Sequence, residues 1–198
     1  SKHNTLRQKT FFGSMLHIRG GKSAKNYRRL TLGVAYQDEA DGFDADIQNE
    51  GPSDKLILKR LEGATFKKFV CGSTPTIEET SLIASRVKEA DGLYRYHIPC
   101  PHCGHSQPLI FGGKHEAAGF KWRPAEPESV RHLCASCSAE FGQQDYLRVW
   151  EQGIYRDENG NWTRNGVEFF NADDKRIPAP RHIAFHVWTA YSPQATWT

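Results

Sequence analysis

The chain has 198 residues, of which 38% are hydrophobic and 25% are charged, and its formal net charge is +3. This composition is typical of one globular domain with room for a small module, and it excludes collagen-like, coiled-coil and wholly disordered chains. No apolar run approaches the ~18 residues of a membrane-spanning helix, so the sequence predicts no membrane segment. The polar, basic beginning predicts no secretion signal, and Ser1 in place of methionine predicts a chain cut from a longer parent.

Charge is distributed unevenly along the chain. The first 30 residues hold eight Lys or Arg and no acidic residue, while residues 31–62 hold eight acidic residues and three basic ones. A basic segment can bind phosphates, although a charge run is also typical of a solvated surface. Both interpretations stay open. The eight basic residues are Lys2, Arg7, Lys9, Arg19, Lys22, Lys25, Arg28 and Arg29.

The first half of the chain alternates strand-like and helix-like segments. Two short strands are predicted on either side of Gly13-Ser14. The apolar run 30–36 predicts a short buried strand, and another strand is predicted over 66–71. Ser23 and Ser53 are candidate caps for helices over 23–29 and 53–62, and a further amphipathic helix is predicted over 78–90. The order strand, helix, strand, helix favours an α/β fold with a parallel sheet.

The pattern changes near Tyr94. Residues 94–140 contain short strand-like segments and turns, and a helix is predicted over 143–152. Aromatic, turn-rich stretches follow. The polar stretch 171–180 with its two prolines predicts a loop, and a last strand is predicted over 182–188.

Two cysteine pairs are the most specific signal. Cys100-Pro-His-Cys103 and Cys134-Ala-Ser-Cys137 both follow the Cys-x-x-Cys pattern, and thirty residues separate them. Each such turn can present two thiolates to zinc, which binds four in a tetrahedron. The pattern predicts a structural zinc ribbon with no open position for catalysis, and His102 or His105 are alternative ligands. The total of five cysteines, with Cys71 unpaired, argues against a disulfide scaffold.

Asp38-Glu39 is a candidate catalytic pair because it follows the apolar run that ends at Tyr36. In nucleotide hydrolases an Asp at a strand end orients Mg²⁺, and a following Glu can polarise the attacking water. Gln37 interrupts the apolar pattern one residue before the pair. An acidic turn with no catalytic role is therefore the alternative interpretation.

Gly72-Ser73-Thr74-Pro75-Thr76 follows the next predicted strand. Small hydroxyl side chains there could hydrogen-bond the acidic pair and sense the state of a nucleotide, although these residue types also favour a plain turn. The segment Gly20-Gly21-Lys22-Ser23 resembles the end of a P-loop, but Leu16 stands where that pattern needs glycine. The sequence therefore predicts no phosphate loop in this chain.

Taken together, the acidic box Asp38-Glu39-Ala40-Asp41 and the Ser-Thr-Pro step resemble motifs of DEAD-box helicases, whose core has no zinc ribbon. Over nearly its whole length the chain is more similar to the large subunit of phage terminases of the GpA type. Residues 96–109 are the most specific stretch. The other matching positions are Asn4-Thr5, residues 9–13, 20–24 and 28–29, Asp38-Glu39-Ala40-Asp41, Arg60, Thr65-Phe66, residues 73–76, Ser81, Ile83, residues 183–186 and 191–193, and Trp197.

The resemblance implies a partial P-loop NTPase sheet of the ASCE type, with a zinc-ribbon β insertion. It implies that Asp38 is the Walker B carboxylate, which holds Mg²⁺, and that Glu39 is the catalytic Glu. It also implies a coupling motif at Ser73, Thr74 and Pro75. The implied zinc ligands are Cys100, Cys103, Cys134 and Cys137. The implied segments are an ATPase-core part over 1–93, the ribbon over 94–141, and a return to the core over 142–198 that leads toward a nuclease domain.

The implied activity is that of an ATP-driven motor that packages double-stranded DNA into a procapsid, in a subunit that also cuts concatemers. The implied partners are DNA, the terminase small subunit, the portal and procapsid, and further copies of the chain, in the cytoplasm of an infected or prophage-bearing bacterium. The Walker A loop and the nuclease carboxylates are expected outside this chain, which alone would be inactive. Two alternatives stay open, a zinc-ribbon nucleic-acid-binding module without catalysis and a helicase-like ATPase fragment. The basic residues near the start could line a DNA channel.

Overall fold

The structure is a computed structural model that describes residues 4–77, 79–113 and 115–197. Lys2 of the basic segment and Glu78, the predicted start of a helix, lie outside these ranges. The chain folds as two compact units, residues 1–88 and 89–198. Within the described ranges, no helix is long and apolar enough to cross a membrane.

The first unit is built from short strands and two α-helices. β1 and β2 form an antiparallel hairpin whose turn contains Gly13 at a φ of 72°. Short 3-10 turns lie at Ala24–Tyr27 and Ala40–Gly42. The elements are β1 (Gln8–Phe11), β2 (Ser14–His17), β3 (Val34–Gln37), α1 (Ser53–Leu61), β4 (Lys68–Cys71) and α2 (Leu82–Lys88).

β3 and β4 form a parallel pair, as the order of strands and helices predicts. The prediction that the first of these strands is buried is wrong, because Val34 and Tyr36 are 64% and 65% exposed. Side chains alternate between the two faces of a strand. The opposite face carries Gln37, whose buried side chain donates a hydrogen bond to the Ser53 hydroxyl of α1 at 2.7 Å. The polar residue that interrupts the apolar run is therefore the one that is buried.

The helices are shorter than the sequence predicts. The predicted helix over 23–29 is a single 3-10 turn, and α2 begins at Leu82. Ser53 is the first residue of α1, and Pro52 occupies the N-cap position. The Ser53 hydroxyl accepts a hydrogen bond from Gln37, and Ser53 is thus a buried partner of β3 where the sequence predicts a cap.

The second unit is mostly β-structure with one α-helix, α3. The helix predicted over 143–152 is α3 followed by a 3-10 turn at Trp150–Gln152, and the predicted loop over 171–180 contains a two-residue strand. The elements are β5 (Gly92–Pro99), β6 (Ser106–Pro108), β7 (Gly119–Arg123), β8 (Glu126–Leu133), β9 (Glu140–Phe141), α3 (Gln143–Val149), β10 (Ile154–Arg156), β11 (Trp162–Thr163), β12 (Phe169–Phe170), β13 (Arg176–Ile177) and β14 (Ile183–His186).

Two sheets organise this unit. The larger has the order β13-β12-β11-β10-β5-β14, with β6 also paired to β5, and the smaller is antiparallel with the order β7-β8-β9. β14 runs parallel to β5, with Ile183 opposite Gly92. The division of the chain into segments at 93 and 141 stays a prediction.

Residues 189–197 pack into the core of the second unit. The Trp197 ring lies 4.7 Å from the Phe120 ring and 5.3 Å from the Tyr146 ring. The buried Tyr191 hydroxyl accepts a hydrogen bond from the backbone N–H of Leu109 and donates one to the carbonyl of Tyr96, both at 2.8 Å. The residues around 189–197 are thus packed against the same core as two of the cysteines, Cys100 and Cys134.

Candidate functional site

The four paired cysteines meet at one point in the second unit. Cys100 and Cys103 lie between β5 and β6, and Cys134 and Cys137 lie between β8 and β9. Their sulfur atoms all lie within 4.8 Å of one another, with Cys100 4.0 Å from Cys137 and Cys103 3.8 Å from Cys134. Four zinc–sulfur bonds of about 2.3 Å in a tetrahedron place the sulfurs about 3.8 Å apart. The donor set and its spacing fit a four-cysteine zinc site.

The two cysteine turns have the same local geometry. The backbone N–H of His102 donates to the Cys100 sulfur, and that of Ser136 donates to the Cys134 sulfur, both at 3.4 Å. Such donors stabilise a thiolate over a thiol. The first cysteine of each turn is therefore held where backbone dipoles favour metal binding.

Ionisation within the cluster is uneven. Burial opposes ionisation of Cys134, but the backbone N–H groups of Cys137 and Ser136 and the neighbouring thiols lower its pKa to about 6. At Cys103 the N–H of His105 favours the thiolate, while desolvation and the bonds with the other cysteines raise the pKa to about 12. A divalent cation would allow several thiolates to coexist, because it neutralises their mutual repulsion.

Two histidines near the cluster, His102 and His132, have other partners. The Nε2 of His102 lies 3.1 Å from the carbonyl of Glu140. His132 is buried between the rings of Phe120 and Phe141, and its Nε2 accepts a hydrogen bond from the N–H of Ile110. Among the described residues, the group close enough to share one ion consists of the four cysteines alone.

The acidic pair and the Ser-Thr-Pro segment lie side by side in the first unit. Asp38 and Glu39 directly follow β3 and are exposed, and Gly72 directly follows β4. The N–H of Gly72 donates to the carbonyl of Gln37 at 2.9 Å, and the N–H of Ala40 donates to the carbonyl of Gly72 at 3.1 Å. Parallel pairing of the two strands brings their carboxyl ends together, and with them the two predicted motifs.

Asp41 makes the link between these motifs, and the sequence pattern predicts no role for it. Its N–H donates to the Ser73 hydroxyl at 3.1 Å, and its carboxylate accepts hydrogen bonds from the N–H and the hydroxyl of Thr76 at 2.9 and 3.2 Å. The Ser73 hydroxyl in turn donates to the carbonyl of Thr74 at 3.2 Å. The only sequence signal for Asp41 is its place as the fourth residue of the acidic box.

The acidic turn, residues 38–42, has an unusual backbone. Glu39 has a φ of 49°, in the left-handed region that costs energy for a residue with a side chain. The Tyr36 hydroxyl donates to the Asp38 carboxylate at 3.2 Å, and this bond raises the pKa of Tyr36. A strained residue at the end of a strand is a recurrent feature of functional sites.

Comparison with known proteins decides the family. Residues 1–162 match the family model described as "Phage terminase large subunit gpA, ATPase domain". The chain belongs to this family. The resemblance that the motifs indicate is thereby confirmed.

Two curated relatives are similar along almost the whole chain. The terminase large subunit of Escherichia phage lambda is 40% identical over 197 residues, which are 99% of this chain and 31% of the relative. That of Enterobacteria phage P21 is 40% identical over 198 residues, 99% of this chain and 30% of the relative. The chain thus spans about a third of the length of these relatives. No solved structure matches it.

In this member of the terminase family, the segment Gly20-Gly21-Lys22-Ser23 lacks the geometry of a phosphate loop. The carbonyl of Gly21 accepts a hydrogen bond from the Tyr27 hydroxyl at 2.8 Å, and one 3-10 turn follows. A P-loop presents the N-terminus of an α-helix to the phosphates. Of the basic residues nearby, Arg28 forms an exposed ion pair with Glu50.

Proposed function

We propose that this chain is the central part of the large subunit of a phage terminase, an ATP-driven motor that packages double-stranded DNA into procapsids. The observation that carries the proposal is the junction at the ends of β3 and β4. There Gln37, Ala40 and Asp41, which flank the acidic pair, are hydrogen-bonded to Gly72 and Ser73, in a chain that belongs to the gpA ATPase family.

Asp38 and Glu39 would divide the chemistry between them. Exposed carboxylate oxygens at a strand end are suitable ligands for Mg²⁺, which would neutralise charge on the phosphates of bound ATP. We assign Asp38 to hold the metal in a partial P-loop NTPase sheet. The Glu39 carboxylate would orient the attacking water and accept its proton.

Ser73, Thr74 and Pro75 would form the coupling segment. The Ser73 hydroxyl contacts the acidic turn through the N–H of Asp41, and it also donates to the carbonyl of Thr74. A shift of the acidic turn during hydrolysis would therefore change the hydrogen bonds of this segment. That is the behaviour expected of a sensor of the nucleotide state.

The cysteine cluster would hold a structural zinc in a ribbon inserted into the motor subunit. Sulfur separations of 3.8 and 4.0 Å support zinc, and four protein ligands leave no position for a reacting group. The ion would tie the β5–β6 turn to the β8–β9 turn.

The remaining parts of the motor would come from elsewhere in the subunit, since the relatives are about three times as long as this chain. We place the phosphate loop and the nuclease carboxylates there, and we expect this chain alone to hydrolyse no ATP. The working partners would be DNA, the small subunit, the portal of the procapsid and neighbouring copies of the large subunit, in the cytoplasm of the bacterial host. The basic residues of the first 30 would contact DNA phosphates or a neighbouring subunit.

The test is Glu39→Gln in the full-length large subunit. Loss of a general base reduces turnover by about 10²- to 10⁴-fold. ATP binding should persist, because the amide keeps the shape of the side chain. Glu62→Gln, an exposed acidic residue at the end of α1, is the matched control and should retain full activity. Normal turnover in the Glu39 variant would refute the assignment of Glu39 as the general base.

A further inference from the structure

We propose that Asp41 is a positioning residue that transmits the state of the acidic turn to α2, and through α2 to the chain that enters the second unit. The inference rests on the proposed ATPase function, since it concerns how that site would drive movement. It assigns to Asp41 a role beyond the acidic pair and the coupling segment.

The carboxylate of Asp41 joins three segments that are far apart in sequence. One oxygen, Oδ2, accepts both hydrogen bonds of Thr76, from the loop after β4. The other, Oδ1, accepts a hydrogen bond from the backbone N–H of Ile83 at 2.9 Å, in the first turn of α2. Both oxygens are thus committed to donors that lie 35 and 42 residues further along the chain.

The contact with α2 acts as a helix cap supplied from another segment. N–H groups in the first turn of a helix have no partner within the helix. The Ser81 hydroxyl accepts the N–H of Ala84 at 3.0 Å, and Asp41 accepts the N–H of Ile83. A negative charge at this end of a helix is also favoured by the helix dipole. The start of α2 is therefore held by Asp41 and Ser81 together.

The link from Asp41 back to the proposed catalytic residue is short and rigid. Only Ala40 separates Glu39 from Asp41, and both belong to a tight turn in which the N–H of Gly42 donates to the carbonyl of Glu39 at 2.9 Å. The N–H of Ala40 is bonded to the carbonyl of Gly72. Movement of the Glu39 backbone would consequently move the Asp41 carboxylate and its partners.

From Asp41, α2 leads to the boundary between the two units. α2 ends at Lys88, the last residue of the first unit, and the chain continues at Glu89 into the second. Within α2, Arg86 forms an ion pair with the buried Asp54 of α1, which ties α2 to the body of the first unit. The start of α2, held by Asp41, and the point where the chain leaves this unit thus belong to one seven-residue helix, along which we propose that the change passes.

The experiment uses the full-length large subunit with Asp41→Asn. Asparagine has nearly the same volume as aspartate. Its NH₂ group replaces one of the two oxygens that accept hydrogen bonds from Thr76 and Ile83, so at least one of these bonds is lost. We expect the length of DNA packaged per ATP hydrolysed to fall severalfold, because the acidic turn would no longer hold the start of α2. The affinity for ATP should be unchanged. Asp44→Asn, an exposed acidic residue nearby in the chain, is the control and should keep the wild-type ratio.

A second variant and a second measurement keep the outcome decisive. Thr76→Val removes one donor to Asp41 and should lower the same ratio, while Thr76→Ser keeps the donor and should restore it. Hydrogen exchange on the 198-residue chain should show faster exchange at the Thr76 and Ile83 amides in Asp41→Asn. An unchanged packaging ratio in both Asp41→Asn and Thr76→Val, or a loss confined to ATP affinity, would overturn the proposal. Normal turnover in Glu39→Gln would contradict the proposed function separately. The hydrogen-exchange result would still show whether Asp41 holds Thr76 and Ile83.

Discussion

Gly104 and Ser138 occupy the same place in the two cysteine turns of the second unit. Each is the fourth residue after the first cysteine of its pair, and each donates its N–H to the carbonyl of that cysteine, at 2.9 and 3.1 Å. Their φ angles are 74° and 57°, both in the left-handed region. Glycine adopts this region freely, whereas a residue with a Cβ loses about 1 kcal/mol. The second turn is therefore the more strained of the two.

Exchanging the residue types at these two positions should change stability in opposite directions. We expect Gly104→Ala to lower the free energy of unfolding by about 1 kcal/mol. Ser138→Gly should raise it by about 0.5 kcal/mol, because the relief of strain is partly offset by the larger conformational entropy of glycine in the unfolded chain. All five tryptophans lie in the second unit, so urea unfolding followed by tryptophan fluorescence measures this effect. Changes of the same sign would contradict the equivalence of the turns.

Removal of one cluster cysteine should remove the metal. The purified chain should carry about one zinc, and Cys134→Ser should lose it because three thiolates remain where a closed site needs four. The second unit should then unfold at lower urea concentration. Cys71→Ser is the matched control, since Cys71 lies at the end of β4 in the first unit and outside the cluster. Metal content by atomic emission decides the outcome, and full zinc in Cys134→Ser would disprove the site.

Two ion pairs of the first unit should differ sharply in their contribution to stability. Asp54 and Arg86 have side chains only 3% and 14% exposed, whereas those of Glu50 and Arg28 are 29% and 63% exposed. Arg86→Ala leaves the Asp54 carboxylate buried without this cation and should lower the free energy of unfolding by about 3–5 kcal/mol. Arg28→Ala should lower it by about 0–1 kcal/mol. Hydrogen exchange of the α1 and α2 amides measures both, and equal effects would contradict the prediction.

The contribution of Asp41 should depend on pH. Burial alone would raise the pKa of Asp41, but hydrogen bonds from Ile83, Ser81 and Thr76 hold it below its ordinary value of 3.8. Because folding favours the ionised form, the stabilisation is complete above about pH 5 and is lost as the pH falls through the lowered pKa. The difference in stability between the wild type and Asp41→Asn should thus shrink below about pH 4. Exchange of the α2 amides at pH 6 and pH 3 tests this, and a difference that grows in acid would contradict it.

Several features were predictable from the sequence because neighbouring residues encode them. The Cys-x-x-Cys spacing determines that each turn presents two sulfurs, and the structure brings all four together. The alternation of strands and helices predicts the parallel pairing of β3 and β4, and the apolar pattern places α1 within one residue of its observed end. The motifs also indicate the family that the comparisons confirm.

The tertiary structure alone decided which partners distant residues have. Nothing near Asp41 in sequence indicates that its carboxylate binds Thr76 and Ile83, because those contacts depend on the register of β3 against β4 and on where α2 begins. For the same reason Gln37 is buried against Ser53 while Val34 is exposed. Local sequence determines which segments form and which chemical groups they carry. Which groups meet is determined by packing between segments, since hydrogen bonds and burial depend on positions that are separated by tens of residues.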